Sequence, residues 1–168
     1  PCDNVISNAD PAHLYAHMLP KSRVNMSAKL KNKFSKKSMG LFVIFFGTHK
    51  QYPDVAHHTI SLGPRYHGLL DDIFNKKVLP EDFSLYLHRP TATDSSFAPK
   101  GCDSFYALVP VPNLAGGQKW EQIGPSFQEK ILDNLEETLL PNLREHLDHV
   151  FFKSPEDFKD DYLSPDGA

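Results

Sequence analysis

With 168 residues, the chain has room for one domain with a real core and hardly for two. Its net charge of −3 argues against a nucleic-acid binder, and a hydrophobic content of 40% is ordinary for a soluble globular protein. Cys2 and Cys102 are far apart and form no CxxC pair, so the default is a reduced, intracellular protein. The longest apolar run, Leu41–Phe46, is too short to span a bilayer. The chain starts without a methionine, and we expect it to be a piece of something longer.

The N-terminal residues predict a short strand followed by a helix. Asn4–Ser7 reads as the strand, and Asp10 with Pro11 forms a good helix start, because aspartate caps free amides and proline fits the first turn. The helix should end near Leu19, before Pro20.

The segment from Lys21 to Lys37 carries seven basic residues and no acidic one, in an otherwise acidic chain. A solvated helix and loop is one interpretation of this pattern. The other is contact with anionic lipid headgroups, worth on the order of 1 kcal/mol per basic residue near the surface. The lysines that carry this second hypothesis are Lys29, Lys31, Lys33, Lys36 and Lys37.

The middle of the chain is rich in strand patterns. Met39–Phe46 is aromatic and β-branched without alternation, which predicts a central strand buried on both faces. His57–Leu62 should form another strand, followed by a turn and an amphipathic helix over Arg65–Phe74.

Asp82–Leu114 reads as two strands joined by a long loop. Phe83–His88 alternates apolar and polar residues, whereas Ser104–Val109 is apolar almost throughout and should be covered on both faces, ending at Pro110. The connecting loop contains Asp94, Ser95 and Ser96. Such a loop is a common place for a site, although the residues alone favour a plain hairpin connection.

The C-terminal third predicts helices, one strand and a tail. Ala115–Gly117 reads as a linker, and Pro125 suits the first turn of a long helix that Pro141 divides. An apolar residue recurs every four positions in that helix, which indicates packing on a sheet. Next come a strand at His149–Phe152 and a short helix capped by Ser154.

Several kinds of chemistry are excluded by missing motifs. The chain has no GxGxxG, GxxxxGK[ST] or GxSxG, so it lacks a nucleotide cradle or nucleophile elbow of its own. Nine histidines suggest a metal, but His57 and His58 should point to opposite faces of a strand, and we predict no metal site. The adjacent pairs Asp71–Asp72 and Asp160–Asp161 splay apart on helices and should lie on the surface. The residues thus describe one α+β domain, 1–168, with a mixed, largely antiparallel sheet covered by helices.

Three motifs in this order carry a resemblance: HHTISLGPRY (His57–Tyr66), DSSFAPKGC (Asp94–Cys102) and YALVPVPNL (Tyr106–Leu114). Together with SMGLFVIFFGTH (Ser38–His49) and DNVISNAD (Asp3–Asp10), they make the chain resemble the bacterial phytoene desaturases, FAD-dependent carotenoid desaturases.

The resemblance implies an amine-oxidase-like flavoprotein in which a Rossmann-type FAD domain is built from both chain ends, with a substrate domain inserted between them. This chain looks like that substrate domain, so the FAD is expected in the parent and not in this piece. The parent would introduce double bonds into phytoene, a membrane-dissolved polyene, through hydride transfer to the flavin and loss of a proton. Cytoplasmic, peripheral membrane association follows, while the catalytic acid or base, the product and the oligomeric state stay open.

The resemblance also suggests where contacts would lie. The substrate-binding candidates share an apolar or loop position in the predicted hairpin and central strand: Leu41, Val43, Phe45, Leu85, Leu87, Phe105, Ala107, Val109, Asp94, Ser95 and Ser96. The faces of the sheet cannot be assigned, so some of these must be plain core. Asn8, Ala9 and Asp10 are candidates for contact with the flavin domain.

Two other functions stay open. One is a related carotenoid or diapocarotenoid oxidoreductase or isomerase of the same family. The other is a non-enzymatic lipid-binding module.

Overall fold

A computed structural model describes residues 2–168. Five strands form one open sheet: β1 Gly40–Thr48, β2 His58–Ser61, β3 Leu85–His88, β4 Asp103–Val111 and β5 Leu147–Lys153. Their order is β2-β3-β4-β1-β5, and every neighbouring pair is antiparallel. The α+β class is confirmed, and the sheet is wholly antiparallel where a mixed one was expected.

Within residues 2–168, six helices accompany the sheet. They are α1 Pro11–His13, α2 Met26–Phe34, α3 Tyr66–Asp71, α4 Trp120–Thr138, α5 Leu143–His146 and α6 Pro155–Tyr162. π-helical turns continue α1 over Leu14–Met18 and α3 over Asp72–Lys76. Short 3-10 turns occupy Pro90–Ala92, Ser95–Phe97, Leu114–Gly116 and Pro165–Gly167.

The core lies between α4 and one face of the sheet. Phe42 of β1 stacks on Trp120 at 5.4 Å between ring centroids and on Phe152 of β5 at 4.9 Å, and it meets Phe127 edge-on at 5.0 Å. Gly124 lets the helix approach closely, because a Cβ there would lie 2.7 Å from the ring of Phe152. The predicted apolar stripe of α4 therefore faces the sheet.

Caps and breaks agree with several predictions. Asp10 accepts hydrogen bonds from the backbone N–H groups of Ala12 and His13, which fixes the start of α1. Ser154 and Asp157 form a reciprocal capping box at α6. The long helix does end before Pro141, and a new one starts at Leu143.

Several local predictions were wrong. Asn4–Ser7 forms no strand, and these exposed residues have no partner strand within residues 2–168.

The second concerns α4, which begins at Trp120, so Pro125 lies inside it. The helix begins earlier than predicted because the buried Trp120 packs on Phe42. Pro125 has no N–H to donate to the Glu121 carbonyl, but Glu121 is an exposed residue, so the helix tolerates this loss.

The third concerns β4, which continues through Pro110 to Val111. β3 pairs with β4 only from Tyr106 to Leu108, so β4 has a neighbour on just one side at Pro110, and a strand tolerates proline there. β4 is also fully buried on one face only; its other face is half-buried. On the second face of β1, Val43 is buried but Leu41 and Phe45 are half-buried, although both faces were expected to be buried.

Candidate functional site

The sheet face opposite α4, called the open face below, is apolar and incompletely covered. Side chains alternate between the two faces along a strand. Phe42 and Ile44 of β1 face α4, so Val43 and Phe45 lie on the open face. Phe45 pairs with Tyr106 of β4 on one side and with Phe151 of β5 on the other. Phe151 is 49% exposed. Aromatic side chains thus lie next to one another across three adjacent strands, with Phe45 and Tyr106 half-buried and Phe151 exposed.

Aromatic rings on the open face form a connected row. The ring centroids of Phe45 and Phe151 are 5.1 Å apart, those of Phe45 and Tyr106 are 5.9 Å apart, and those of Tyr106 and Tyr86 are 5.7 Å apart. Burial raises the pKa of Tyr86, with a smaller contribution from its hydrogen bond with Tyr106, so its hydroxyl stays protonated at neutral pH. The Tyr86 end of the row is therefore uncharged.

Two hollows lie along this row. One, of about 360 Å³, is lined by residues that include Phe45, Tyr106, Phe151 and Pro90. The other, of about 400 Å³, is lined by His57, His88, Pro90, Thr93, Asp94, Phe97 and Tyr106. Both linings include Pro90 and Tyr106, so the two hollows are adjacent, and the surface of each is mostly apolar.

The structure separates the substrate-binding candidates into two groups. Leu41, Val43 and Phe45 lie on the open face, where Val43 is nearly buried between its neighbours Leu108 and Lys153. The remaining apolar candidates are fully buried in the core cluster with α4: Leu85, Leu87, Phe105, Ala107 and Val109. Packing against α4 accounts for this second group.

Of the loop candidates Asp94, Ser95 and Ser96, Asp94 lines the second hollow, and the two serines follow it in the chain. Asp94 accepts a hydrogen bond from the Ser96 backbone N–H at 2.9 Å, which starts the turn Ser95–Phe97. Hydrogen bonds from Ser96, first from its hydroxyl and then from its backbone, lower the pKa of Asp94. The carboxylate is therefore charged at neutral pH at the edge of an apolar hollow.

Three histidines converge at one end of the open face. His57 and His58 were expected to point to opposite sides of a strand, and that premise was wrong: β2 begins only at His58, and the two rings lie 4.3 Å apart. His57 Nε2 lies 2.8 Å from His88 Nε2. Burial, and then the neighbouring His57 and His58, lower the pKa of His88, so this imidazole is neutral at pH 7.

A buried ion pair anchors the loop beside these histidines, and sequence reasoning missed it. Asp103 accepts hydrogen bonds from Arg89 Nε at 2.9 Å, from the Thr91 hydroxyl at 2.6 Å and from the Tyr52 backbone N–H at 2.8 Å. Arg89 also donates to the Val55 carbonyl at 2.8 Å. The sequence offers one indication of this pair: a charged residue stands at the loop end of each predicted hairpin strand, Arg89 after the first strand and Asp103 before the second. The network ties both ends of the loop to the segment before β2.

Around the predicted lysine patch, α2 exposes an apolar ladder. Met26, Leu30 and Phe34 recur every fourth residue and are 68%, 48% and 71% exposed. Four of the five candidate lysines are exposed, and Lys37 is half-buried. Among residues 2–168, no salt bridge involves any lysine of the patch.

Asn8, Ala9 and Asp10, the candidates for a flavin-domain contact, precede α1. The capping role described above accounts for Asp10, and Asn8 is exposed. Contact with another domain stays a prediction.

The described residues offer no place for the dinucleotide part of FAD. Such a site needs a parallel strand–turn–helix unit with a glycine-rich turn, and in residues 2–168 the sheet is wholly antiparallel. Nor is any helix in that range long and apolar enough to cross a membrane.

No protein-family model matches the chain. It is 46% identical over 176 residues to the phytoene desaturase (neurosporene-forming) of Rhodobacter capsulatus, covering 100% of this chain and 33% of that protein. It is 46% identical over 160 residues to the phytoene desaturase (lycopene-forming) of Pantoea ananas, covering 93% and 32%. It is 33% identical over 168 residues to the 4,4'-diaponeurosporene oxygenase of Staphylococcus aureus, covering 99% and 33%. The chain spans about a third of the length of these relatives. Similarity of this extent over nearly every residue means that the chain belongs to the bacterial phytoene desaturase family.

Proposed function

We propose that residues 1–168 are the substrate-binding part of an FAD-dependent carotenoid desaturase that introduces double bonds into phytoene. The names of the relatives support the reaction class. The observation that carries the role of this part is the open face, with its row of Phe45, Tyr86, Tyr106 and Phe151. The FAD would be bound by other parts of the protein.

A hydrocarbon has no group to hydrogen-bond, so a protein holds it by shape and by burying apolar surface. Phe151 leaves about half of its ring surface exposed, on the order of 100 Å². Covering that area with substrate would contribute about 2.5 kcal/mol. Leu41, Val43 and Phe45 extend the same surface along β1, and Asp94, Ser95 and Ser96 would border it.

Phytoene conversion by the full natural protein tests this proposal. We expect a flavin spectrum and red-shifted polyene bands after incubation with phytoene-loaded liposomes. The variant Phe151→Ser should raise the apparent KM for phytoene between tenfold and a hundredfold. Tyr162→Ser removes another aromatic side chain, 67% exposed on α6, and should change nothing.

Other outcomes would point elsewhere. Conversion of a diapocarotenoid without conversion of phytoene would favour the alternative oxidoreductase, which the 33% identity to an oxygenase leaves open. Polyene binding without any flavin would favour the lipid-binding module. Equal KM values for Phe151→Ser and the natural protein would refute the role of the open face.

We also propose that α2 docks the protein on an anionic membrane, where phytoene dissolves. Its apolar ladder would enter the headgroup region while Lys29, Lys31 and Lys33 on the helix, and Lys36 and Lys37 after it, approach lipid phosphates. Each lysine near the surface is worth about 1 kcal/mol, so changing the three helix lysines to glutamine should weaken binding roughly a hundredfold.

Sedimentation with phosphatidylserine-containing liposomes measures this effect. Lys100, Lys119 and Lys159 are exposed lysines elsewhere, and their change to glutamine is the charge-matched control. Equal sedimentation of both triple variants at low salt would remove α2 as the docking element.

A further inference from the structure

The imidazole side chains of His57, His58 and His88 lie close together and offer nitrogen ligands, which binding a hydrocarbon does not require. One ring nitrogen from each of the three lies within 4.8 Å of those of the other two. The residues come from two neighbouring strands and the loop before β2, since His58 pairs directly with His88 in the ladder. The sheet register therefore brings the three imidazoles together.

In His57 and His58 the Nδ1 nitrogen contacts a hydroxyl group, which leaves the Nε2 nitrogen of each ring to bind a metal ion. His57 Nδ1 is hydrogen-bonded to the Thr93 hydroxyl, and His58 Nδ1 lies 2.6 Å from the Tyr86 hydroxyl. A histidine that binds a metal normally uses its second ring nitrogen in this way, which fixes the tautomer and the ring orientation. Thr93 and Tyr86 thus stand where outer-shell partners of a metal site would stand.

The facing nitrogens of His57 and His88 are slightly closer together than a shared metal ion requires, and the His58 nitrogen lies within 4.8 Å of both. His57 Nε2 and His88 Nε2 are 2.8 Å apart. Two nitrogens at about 2.0–2.1 Å from one tetrahedral zinc ion are roughly 3.3 Å apart, so the rings need to open by about half an ångström. His57 lies before β2 and outside its ladder, so the proposal requires rotation of the His57 side chain to open this spacing and rotation of the His58 ring towards the same point.

We propose that His57, His58 and His88 form a binding site for a divalent transition-metal ion, with zinc as its test ion. Three imidazole ligands suit Zn²⁺, Ni²⁺ and Cu²⁺ and do not suit Mg²⁺ or Ca²⁺. Three protein ligands leave a fourth position for water or a small ligand. The alternative is a metal-free cluster in which one imidazole N–H is donated between His57 and His88.

Zinc titration of the metal-stripped full natural protein, against a chromophoric chelator, separates these two states. The natural protein should bind one more zinc ion than His57→Gln and His88→Gln, each of which should lose at least about a hundredfold in affinity at this site. His67→Gln removes an exposed histidine of α3 outside the cluster and should bind as the natural protein does. Circular dichroism in the absence of zinc should be the same for all variants.

Two further measurements make the outcome decisive. Tyr86→Phe keeps all three ligands but removes an outer-shell hydroxyl, and it should weaken zinc binding about tenfold to a hundredfold. X-ray absorption of the zinc-loaded protein should show imidazole nitrogens at about 2.0 Å. Equal zinc stoichiometry and affinity for the natural protein and both ligand variants would overturn the metal site, and so would a zinc spectrum without imidazole. Neither result depends on desaturase activity.

Discussion

Asp103 makes the interaction whose loss should cost this chain most. Its carboxylate is fully buried and accepts three hydrogen bonds, including one from the charged Arg89, whose side chain is 8% exposed. Removing one partner of a buried ion pair leaves an uncompensated charge and costs about 3–5 kcal/mol. Asp103→Asn keeps the shape and one acceptor oxygen, so we expect about 3 kcal/mol, a large part of the stability of a domain of this size.

Urea unfolding of the 168-residue chain measures this cost through the fluorescence of Trp120. It is the only tryptophan, it is 1% exposed, and it reports on the core between α4 and the sheet. Asp161→Asn is the control, because Asp161 pairs with Lys153 at 2.8 Å on the surface, where such pairs contribute about 0–1 kcal/mol.

Adding Arg89→Met to Asp103→Asn should restore part of the loss, because the second change removes the orphaned cation. A cost for Asp103→Asn below about 1 kcal/mol, or equal to that of Asp161→Asn, would refute the argument from the buried charge.

Three further predictions concern single positions. Gly124→Ala should lower the free energy of unfolding although alanine favours helices, because its Cβ would lie 2.7 Å from the Phe152 ring. The matched control is Gly68→Ala in α3, whose Cβ meets only the flexible Arg65 side chain. It should be neutral or stabilising by up to about 1 kcal/mol in the same urea titration. Ser154→Ala removes the capping box of α6 and should cost about 1 kcal/mol by thermal unfolding. Hydrogen bonding to Lys76 lowers the pKa of Asp72 below 3.8. The stability that this ion pair provides is therefore present above pH 3.8 and is lost as the pH falls through the pKa of Asp72 in the folded state. Lys76→Gln should raise that pKa in a carboxyl NMR titration, and an unchanged pKa would contradict this cause.

The strands were predictable because their apolar patterns are strong, but the function of each face was not. Phe42 and Phe45 look alike in the sequence, yet Phe42 packs under α4 and Phe45 lies on the open face. Apolar residues occupy both faces of β1, so periodicity cannot distinguish a face that packs on a helix from one left open.

The histidine cluster and the buried ion pair were missed for a related reason. His57 lies one residue before β2, so the alternation rule for strands does not govern its ring. Asp103 and Arg89 resemble surface charges, and their burial depends on the register between β3 and β4 and on the segment around Tyr52. Contacts between residues so distant in sequence leave no local signal.

The position of β1 within the sheet constrains how the chain reaches its folded state. Ile44 pairs with Ala107 on one side and with Phe152 on the other, and both partners come much later in the sequence. A ribosome must therefore release nearly the whole chain before the most apolar strand acquires both neighbours. Until then β1 presents unpaired edges and uncovered phenylalanines, and an apolar strand in that state is prone to aggregate.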